Sequence, residues 1–269
     1  MTKNLDKEGL SSIVDNYQLF YIDLWGVVHN GVSLHTEAIK ALQEITNKKK
    51  NYILLTNAPR PNHSVKYFLE KLGMKKEMTD HVFTSGEAAL LYLKKNLLNR
   101  SFFHLGPPRD FDLFKNFEEM KSNKISNCDY ILCTGLYDNY SEDLTYYKNL
   151  LENNIKKKMI CTNPDLIVDR GNKRELCAGS VAMVFEKMGG EVVYFGKPYP
   201  EVYNQSTNNK NKKILSIGDN LNTDIKGANL LNYDSLLISN GIHKNEIKEK
   251  GIDKVSKSYE AICNYIQSE

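Results

Sequence analysis

The sequence predicts an α/β fold built around a doubly wound parallel sheet. Stretches with apolar residues at three- and four-residue spacing, such as Ala38, Leu42 and Ile45, predict amphipathic helices. Val65, Phe68, Leu69 and Leu72 form a second stripe of this kind. Strands alternating with such helices favour a parallel sheet covered on both faces. The short apolar, β-rich runs that predict the strands are LFYIDL (19–24), YILLT (52–56), VFT (82–84), FFHL (102–105), YILCT (130–134), MICT (159–162), VVYF (192–195), ILSI (214–217) and SLLI (235–238).

The chain length leaves room for a second structural unit. At 269 residues the chain is long for one compact core and suits one large domain or two. The segment from about 100 to 190 contains strand and helix patterns of its own, between polar strand ends that come before and after it. We therefore expect a core formed by residues 1–99 and 191–269, with 100–190 inserted as a second α/β module.

Charge and cysteine content indicate the class of protein. The 36 basic and 33 acidic residues are interspersed and give a net charge of +3, so we expect neither nucleic-acid nor membrane binding. The N-terminus has no apolar signal-peptide core, and no apolar stretch approaches the roughly 18 residues of a membrane span. Five cysteines without a C-x-x-C pair indicate reduced thiols. These features predict a cytoplasmic protein.

Polar side chains follow the first two predicted strands. Asp23 stands at the end of an apolar run and before a glycine turn, where a carboxylate can serve as a nucleophile or metal ligand, or simply cap the turn. Thr56 and Asn57 follow the next strand and can either bind phosphate oxygens or form an ordinary turn. In open α/β sheets, ligands bind beyond the carboxyl ends of the strands. The pattern predicts one site at this edge.

The second half of the chain offers further candidates for the same site. Lys197 precedes a proline and can neutralise a phosphate or a carboxylate, or lie in solvent. Asp219 and Asp224 flank a strand-to-helix junction and can share a hard cation, while Asp224 can also cap the helix. Mg²⁺ prefers one or two carboxylates together with water and phosphate oxygens.

Taken together and in this order, the motifs resemble the haloacid dehalogenase (HAD) superfamily of aspartate-nucleophile phosphohydrolases. The resemblance spans nearly the whole chain and is closest to the class IIA, NagD-like phosphatases, which have a Rossmann-like core and an inserted C2-type α/β cap domain. The core motifs are DLWGVVHNG (23–31), LLTNAPR (54–60), GKPYPEVY (196–203) and IGDNLNTDIKGA (217–228). The cap segments are TGLYDNYSEDL (134–144), TNPD (162–165) and AGSVAMVFE (178–186).

The resemblance implies a role for each motif. Asp23 would attack phosphorus and form an aspartyl-phosphate, with Thr56 and the backbone near Asn57 binding the transferring phosphoryl group. Lys197 would hold the nucleophile and the phosphate charges together. The Mg²⁺ ligands would be the Asp23 carboxylate, the backbone carbonyl of Trp25, and Asp219, with Asp224 assisting directly or through water.

The first motif departs from the family at residue 25. The family pattern is D-x-D, in which the second Asp protonates the leaving group and later activates water, but here the residue is Trp25. General acid–base catalysis contributes roughly 10²–10⁴-fold in rate, so its loss would slow turnover. His29 is the nearest titratable candidate to replace the acid, or it is a structural residue. Trp25 itself would pack beneath the cap or stack on a substrate ring.

The sequence therefore predicts a Mg²⁺-dependent hydrolase of a small phosphomonoester. Substrate selection would fall to the cap, with Asp165, Arg170, Gly179 and Ser180 as candidates. One alternative is a catalytically impaired relative that binds a phosphorylated metabolite or a protein partner. A second is a receiver-like phospho-switch, which length and motif order disfavour. Caps of this type often carry dimer contacts, so a homodimer through the cap is also expected.

Overall fold

The computed structural model describes residues 2–170, 173–208 and 211–269, apart from the side chain of Arg170. The strands, in chain order, are β1 (Lys3–Asn4), β2 (Leu19–Ile22), β3 (Asn51–Thr56), β4 (Val82–Thr84), β5 (Phe102–Leu105), β6 (Tyr130–Cys133), β7 (Lys158–Cys161), β8 (Ile167–Arg170), β9 (Lys173–Leu176), β10 (Glu191–Tyr194), β11 (Ile214–Gly218), β12 (Asp234–Ile238) and β13 (Tyr265–Gln267). The helices are α1 (Thr36–Asn47), α2 (Asn62–Lys71), α3 (Lys76–Thr79), α4 (Ser85–Asn96), α5 (Leu144–Leu151), α6 (Ala178–Lys187), α7 (Pro200–Ser206), α8 (Lys226–Leu230), α9 (Lys244–Lys250) and α10 (Ile252–Ser258).

A seven-stranded sheet forms the core of the molecule. Its strand order is β1-β13-β12-β11-β2-β3-β4, and every pairing in it is parallel. The central strands β2 and β11 are buried along their whole length, as expected for strands covered on both faces. The predicted α/β class with a parallel-sheet core is confirmed.

Helices α1 and α2 cover this sheet with the stripes that the spacing predicted. Leu42 and Ile45 are the buried residues of α1, and Val65 and Leu69 are those of α2. All four belong to one cluster with residues of the central strands, such as Ile22. Burying one apolar stripe while the opposite face stays polar is what fixes each helix against the sheet.

A second, separate parallel sheet has the strand order β10-β7-β6-β5. An antiparallel hairpin, β8–β9, follows β7. The predicted boundary at 190 is misplaced by one strand, because β10 (Glu191–Tyr194) pairs in parallel with β7 and belongs to this second sheet. Helix α6 followed by β10 completes the sheet, so the return to the core begins after β10 rather than before it. The assignment of 100–190 as a cap that governs substrate access stays a prediction.

The two sheets share a buried cluster. Leu55 of β3 and Leu93 of α4 lie in one hydrophobic cluster with Phe102, Leu132 and Ile160 of the second sheet. Burial of apolar surface at about 25 cal/mol per Å² therefore stabilises the packing of one sheet on the other through α4. The inserted unit is bound to the core by more than its two chain connections.

The remaining structural expectations concern cysteines and membrane spans. All five cysteines are buried and unpaired. Among the described residues, no helix combines the length and the apolar character needed to cross a membrane.

Candidate active site

The polar strand ends named above meet at one edge of the core sheet. Strand β2 pairs with β3 on one side and with β11 on the other, so the residues that follow these strands are neighbours. Asp23 is held at this edge by its own amide, which donates to the carbonyl of Ile217 at 2.9 Å. Asp23, Thr56 and Asp219 are all buried, with 7–8% of their surface exposed.

Lys197 is the cation at the centre of the site. Its ammonium donates to Asp23 Oδ1 at 2.5 Å and to Asp224 Oδ1 at 2.6 Å, and only 3% of the residue is exposed. Burial by itself lowers the pKa of a lysine, but the carboxylates of Asp224 and Asp23 outweigh it and raise the pKa of Lys197 above its ordinary value. The side chain is therefore a permanent ammonium between two carboxylates.

Asn57 fixes the backbone that carries this lysine. Its side-chain oxygen accepts the Lys197 amide at 2.7 Å, and its side-chain nitrogen donates to the Lys197 carbonyl at 3.0 Å. The neighbouring Thr56 hydroxyl accepts the Ala58 amide at 3.2 Å, which orients the turn after β3. Asn57 thus acts on the lysine backbone, while Thr56 lines the cavity beside Asp23.

Three carboxylates form the anionic part of the site. One oxygen each from Asp23, Asp219 and Asp224 lies within 4.8 Å of the others, and all three residues are buried. Burial is the main cause that raises the pKa of each carboxyl, and it lifts the pKa of Asp224 to about 6. For Asp219, the charges of the other two aspartates add to the rise.

These residues fit a divalent cation. A single lysine charge cannot balance three buried carboxylates, and Asp219 accepts a neutral amide, that of Ile242, at 3.0 Å. Gly26, at φ +82°, brings the backbone of the first loop against Asp219, where a Cβ would lie 2.3 Å from Oδ2. Hard oxygen ligands and close backbone approach are what Mg²⁺ or Ca²⁺ requires.

Asp165 is brought to the same site from the second sheet. Its Oδ1 accepts a hydrogen bond from the Asn57 side chain at 3.0 Å. Burial raises the pKa of Asp165 to about 6, against the opposing charge of Lys197. The loop after β7 therefore meets the turn after β3 directly.

Gly179 and Ser180 do not line the cavity, contrary to the predicted substrate role. Both are buried at the start of α6, where the Ser180 hydroxyl donates to the Leu166 carbonyl at 2.6 Å. A Cβ at Gly179 would lie 2.3 Å from the Pro164 carbonyl oxygen. Their contacts support the loop that carries Asp165. The side chain of the remaining candidate, Arg170, lies outside the described residues.

Trp25 lies half-buried beneath the β8–β9 hairpin. Its indole Nε1–H donates to the backbone carbonyl of Asp169, on β8, at 2.6 Å. Its ring meets the His29 imidazole edge to face, with 5.1 Å between centroids. Gly31, at φ +87°, packs on the indole, since a Cβ there would lie 2.6 Å from Cη2.

His29 is poorly placed to act as a proton donor. It is 3% exposed, and its Nδ1 accepts the Gly31 amide at 3.0 Å. Burial, with a smaller contribution from the charge of His35, lowers the pKa of His29 to about 4. The imidazole is therefore neutral at pH 7 and lacks the acidic imidazolium proton that a general acid would donate.

Sequence reasoning missed the hairpin that closes the cavity. Arg174 binds the Asp169 carboxylate with two hydrogen bonds, at 2.7 and 2.9 Å, and donates to the Ile242 carbonyl at 3.3 Å. The segments IVDR (167–170) and KREL (173–176) do not alternate apolar and polar residues, so hydrophobic periodicity gave no signal for this antiparallel pair. The cavity has a volume of about 1380 Å³ and is lined by the catalytic candidates, the hairpin and the loops after β5 and β6.

Two family models match the chain. One, described as haloacid dehalogenase-like hydrolase, matches residues 20–118, and the other, described as HAD-hydrolase-like, matches residues 194–264. The two matched regions contain the first two and the last two core motifs, respectively.

Known proteins resemble the chain over almost its full length. A crystal structure of a haloacid dehalogenase-like hydrolase from Brucella suis is 33% identical, covers 87% of this chain and 89% of its own, and superposes with a TM-score of 0.80. Phosphoglycolate phosphatase 2 of Arabidopsis thaliana is 25% identical, over 95% of this chain and 93% of its own. A 5'-nucleotidase of Bacillus subtilis is 22% identical, over 93% of this chain and 98% of its own. The sequence prediction of family and enzyme class is confirmed: the chain belongs to the haloacid dehalogenase-like hydrolase family.

Proposed function

We propose that this enzyme is a Mg²⁺-dependent phosphatase that hydrolyses a small phosphomonoester through an aspartyl-phosphate on Asp23. The observation that carries the proposal is the buried Lys197 ammonium, which contacts both Asp23 and Asp224 in a cavity open to a small ligand. Relatives named as a phosphoglycolate phosphatase and a 5'-nucleotidase support phosphomonoesters as the substrate class.

The first step would join Asp23 to phosphorus. A carboxylate oxygen of Asp23 attacks the phosphorus atom, and the bond from phosphorus to the ester oxygen breaks, releasing an alkoxide that takes a proton from water. The Lys197 ammonium keeps Asp23 ionised and in place and offsets the phosphate charge. Phosphoryl transfer depends mainly on such positioning and charge neutralisation.

The second step would release phosphate. Water attacks the phosphorus of the aspartyl-phosphate, the bond to the Asp23 oxygen breaks, and inorganic phosphate leaves. Thr56 and the turn after β3 bind the phosphoryl oxygens throughout. Asp23, Asp219 and the Trp25 carbonyl would hold a bound Mg²⁺, with Asp224 assisting directly or through water, and the ion would supply positive charge to the phosphoryl oxygens.

The presence of a tryptophan at position 25, in place of the second Asp of D-x-D, favours a second candidate function. Since an indole N–H does not ionise near neutral pH and here donates to the Asp169 carbonyl, the side chain of residue 25 cannot replace the second Asp of D-x-D as an acid or base. A protein that binds a phosphorylated metabolite or protein partner without turning it over would keep the lysine and carboxylates and lose only the acid. The cap dimer and the cytoplasmic location stay predictions.

Phosphate release from p-nitrophenyl phosphate with Mg²⁺ separates the two candidates. Turnover that disappears in Asp23→Asn, together with incorporation of ³²P into the wild-type protein only, supports the phosphatase. Binding of inorganic phosphate without any turnover supports the binding protein. The natural substrate then follows from a screen of phosphorylated metabolites.

A further inference from the structure

The loop that carries the nucleophile is tied to the hairpin above it by one side chain. Trp25 is two residues after Asp23, and its Nε1–H donates to the Asp169 carbonyl at 2.6 Å. On the loop side, the indole ring is fixed by its contacts with His29 and Gly31. Both ends of this contact are therefore defined, one in the core and one on β8.

A second contact ties the same hairpin to the metal-ligand side of the site. Asp169 and Arg174 are register partners across the hairpin, and the guanidinium binds the carboxylate through Nε and Nη2. Arg174 Nη2 also donates to the Ile242 carbonyl, while the amide of Ile242 donates to Asp219 Oδ2. Asp169 is thus held through its carbonyl by Trp25 and through its carboxylate by Arg174.

The hairpin forms a wall of the cavity. Residues of β8 and β9 line it together with Asp23, Thr56 and Lys197. The strands are short and partly exposed, and a two-stranded hairpin is at best marginally stable without support. Its position over the nucleophile depends on the contacts it makes to the core.

We propose that Trp25 is a positioning residue that docks the β8–β9 hairpin over the phosphate site. Residue 25, which is the acid in the D-x-D pattern, here instead holds in place the wall of the cavity that contacts the organic part of the substrate. The substrate consequence rests on the proposed function. The docking itself does not, since it concerns one hydrogen bond between the core and the hairpin.

The docking test uses the fact that Trp25 is the only tryptophan in the chain. Its emission and its quenching by acrylamide report on this indole alone, without substrate. Arg174→Gln removes the second contact and leaves the reporter in place. The matched control is Arg100→Gln, which breaks a different Arg–Asp pair, with Asp129, on the surface of the second sheet.

We expect Arg174→Gln to shift the emission to longer wavelength and to raise the quenching constant about twofold or more, while Arg100→Gln matches the wild type. Trp25→Phe keeps an aromatic ring and the backbone carbonyl but removes the donor. In Trp25→Phe, amide hydrogen exchange in Lys173–Leu176 should accelerate roughly tenfold, the factor expected for one lost hydrogen bond, with exchange in Asn51–Thr56 unchanged. Unchanged emission in Arg174→Gln, or unchanged hairpin exchange in Trp25→Phe, overturns the proposal.

The substrate test compares two ligands in Trp25→Phe. Inorganic phosphate has no organic part to meet the hairpin, so its inhibition constant should stay within about twofold of wild type. KM for p-nitrophenyl phosphate should rise several-fold, since its ring needs the wall. Equal changes for both ligands overturn the substrate consequence. If the wild type has no turnover, the affinity for phenylphosphonate, measured by its displacement of bound phosphate, is compared between Trp25→Phe and wild type in place of KM. The substrate consequence can therefore be tested even if the proposed function is wrong.

Discussion

The Lys197 ammonium lies 2.5 Å from Asp23 Oδ1, and neither side chain is more than 10% exposed. The same ammonium lies 2.6 Å from Asp224, so one cation serves two buried carboxylates. Removing one partner of a buried ion pair leaves an unpaired charge in a poorly solvated place, which costs about 3–5 kcal/mol. The stability of this protein should therefore depend on Lys197 as strongly as its chemistry does.

Lys197→Met should lose at least about 10²-fold in phosphatase rate and about 3 kcal/mol in unfolding free energy at pH 7. Without the ammonium, the pKa values of Asp23 and Asp224 rise further. A carboxyl group whose pKa is raised in the folded state stabilises the fold at low pH, and this stabilisation is lost as the pH rises. The loss of unfolding free energy in Lys197→Met should therefore be smaller at pH 5 than at pH 7. Urea unfolding at both pH values measures this. Lys48→Met, which breaks a surface pair with Asp15, should show no such pH-dependent deficit.

Asp219→Asn should abolish stabilisation by Mg²⁺. Wild-type protein with EDTA should melt at a lower temperature than with excess Mg²⁺, because an ion that binds only the folded state stabilises it by mass action. The Asn oxygen can still accept the Ile242 amide, so the metal-free variant should be at least as stable as the metal-free wild type. Asp129→Asn, on the surface, should keep the full Mg²⁺ response. A response in Asp219→Asn equal to that of wild type would remove Asp219 from the ligand set.

His29 should make the fold sensitive to acid. Its pKa falls from an ordinary 6.5 to about 4 in the folded state, so the unfolded chain binds more protons between these values. The contribution of neutral His29 to the free energy of unfolding is present above pH 6.5 and disappears as the pH falls towards 4. Its total is about 3 kcal/mol at 1.36 kcal/mol per pKa unit. His29→Gln should flatten the dependence of unfolding free energy on pH in this window.

His104 provides the comparison for this experiment. Burial lowers its pKa to about 4 as well, but it lies in the second sheet and contacts Thr134 rather than Trp25. His104→Gln should therefore flatten the same pH window, while only His29→Gln should alter Trp25 fluorescence. Neither variant should remove a limb from the pH–rate profile. Loss of a limb in His29→Gln alone would return His29 to the role of proton donor.

The core of the site was predictable because it depends on local sequence and on one property of parallel sheets. Asp23 and Asp219 each follow an apolar run, and parallel strands bring such positions to one edge. The Trp25 contact was not predictable, because its acceptor is a backbone carbonyl 144 positions away that any residue type supplies. Gly179 was misassigned because a glycine that packs on a carbonyl and one that lines a cavity look alike in sequence. The boundary at 190 failed because β10 resembles a core strand in composition and differs only in its partner, β7.

Trp25→Asp tests what the missing acid costs. An aspartate at this position can protonate a leaving group and activate water, steps worth roughly 10²–10⁴-fold together with correct positioning. It also removes the indole donor to Asp169 and the ring that Gly31 packs on, so the appropriate reference is Trp25→Phe, which removes the same donor but keeps an aromatic ring. Relative to Trp25→Phe, we expect Trp25→Asp to turn over alkyl phosphates at least about tenfold faster. The gain should be small for p-nitrophenyl phosphate, whose leaving group needs no proton, unless breakdown of the aspartyl-phosphate limits its turnover. Thermal melts with Mg²⁺ establish that both variants fold and bind metal. Equal alkyl phosphate rates in two folded, metal-binding variants would mean that Trp25 does not stand in the acid position.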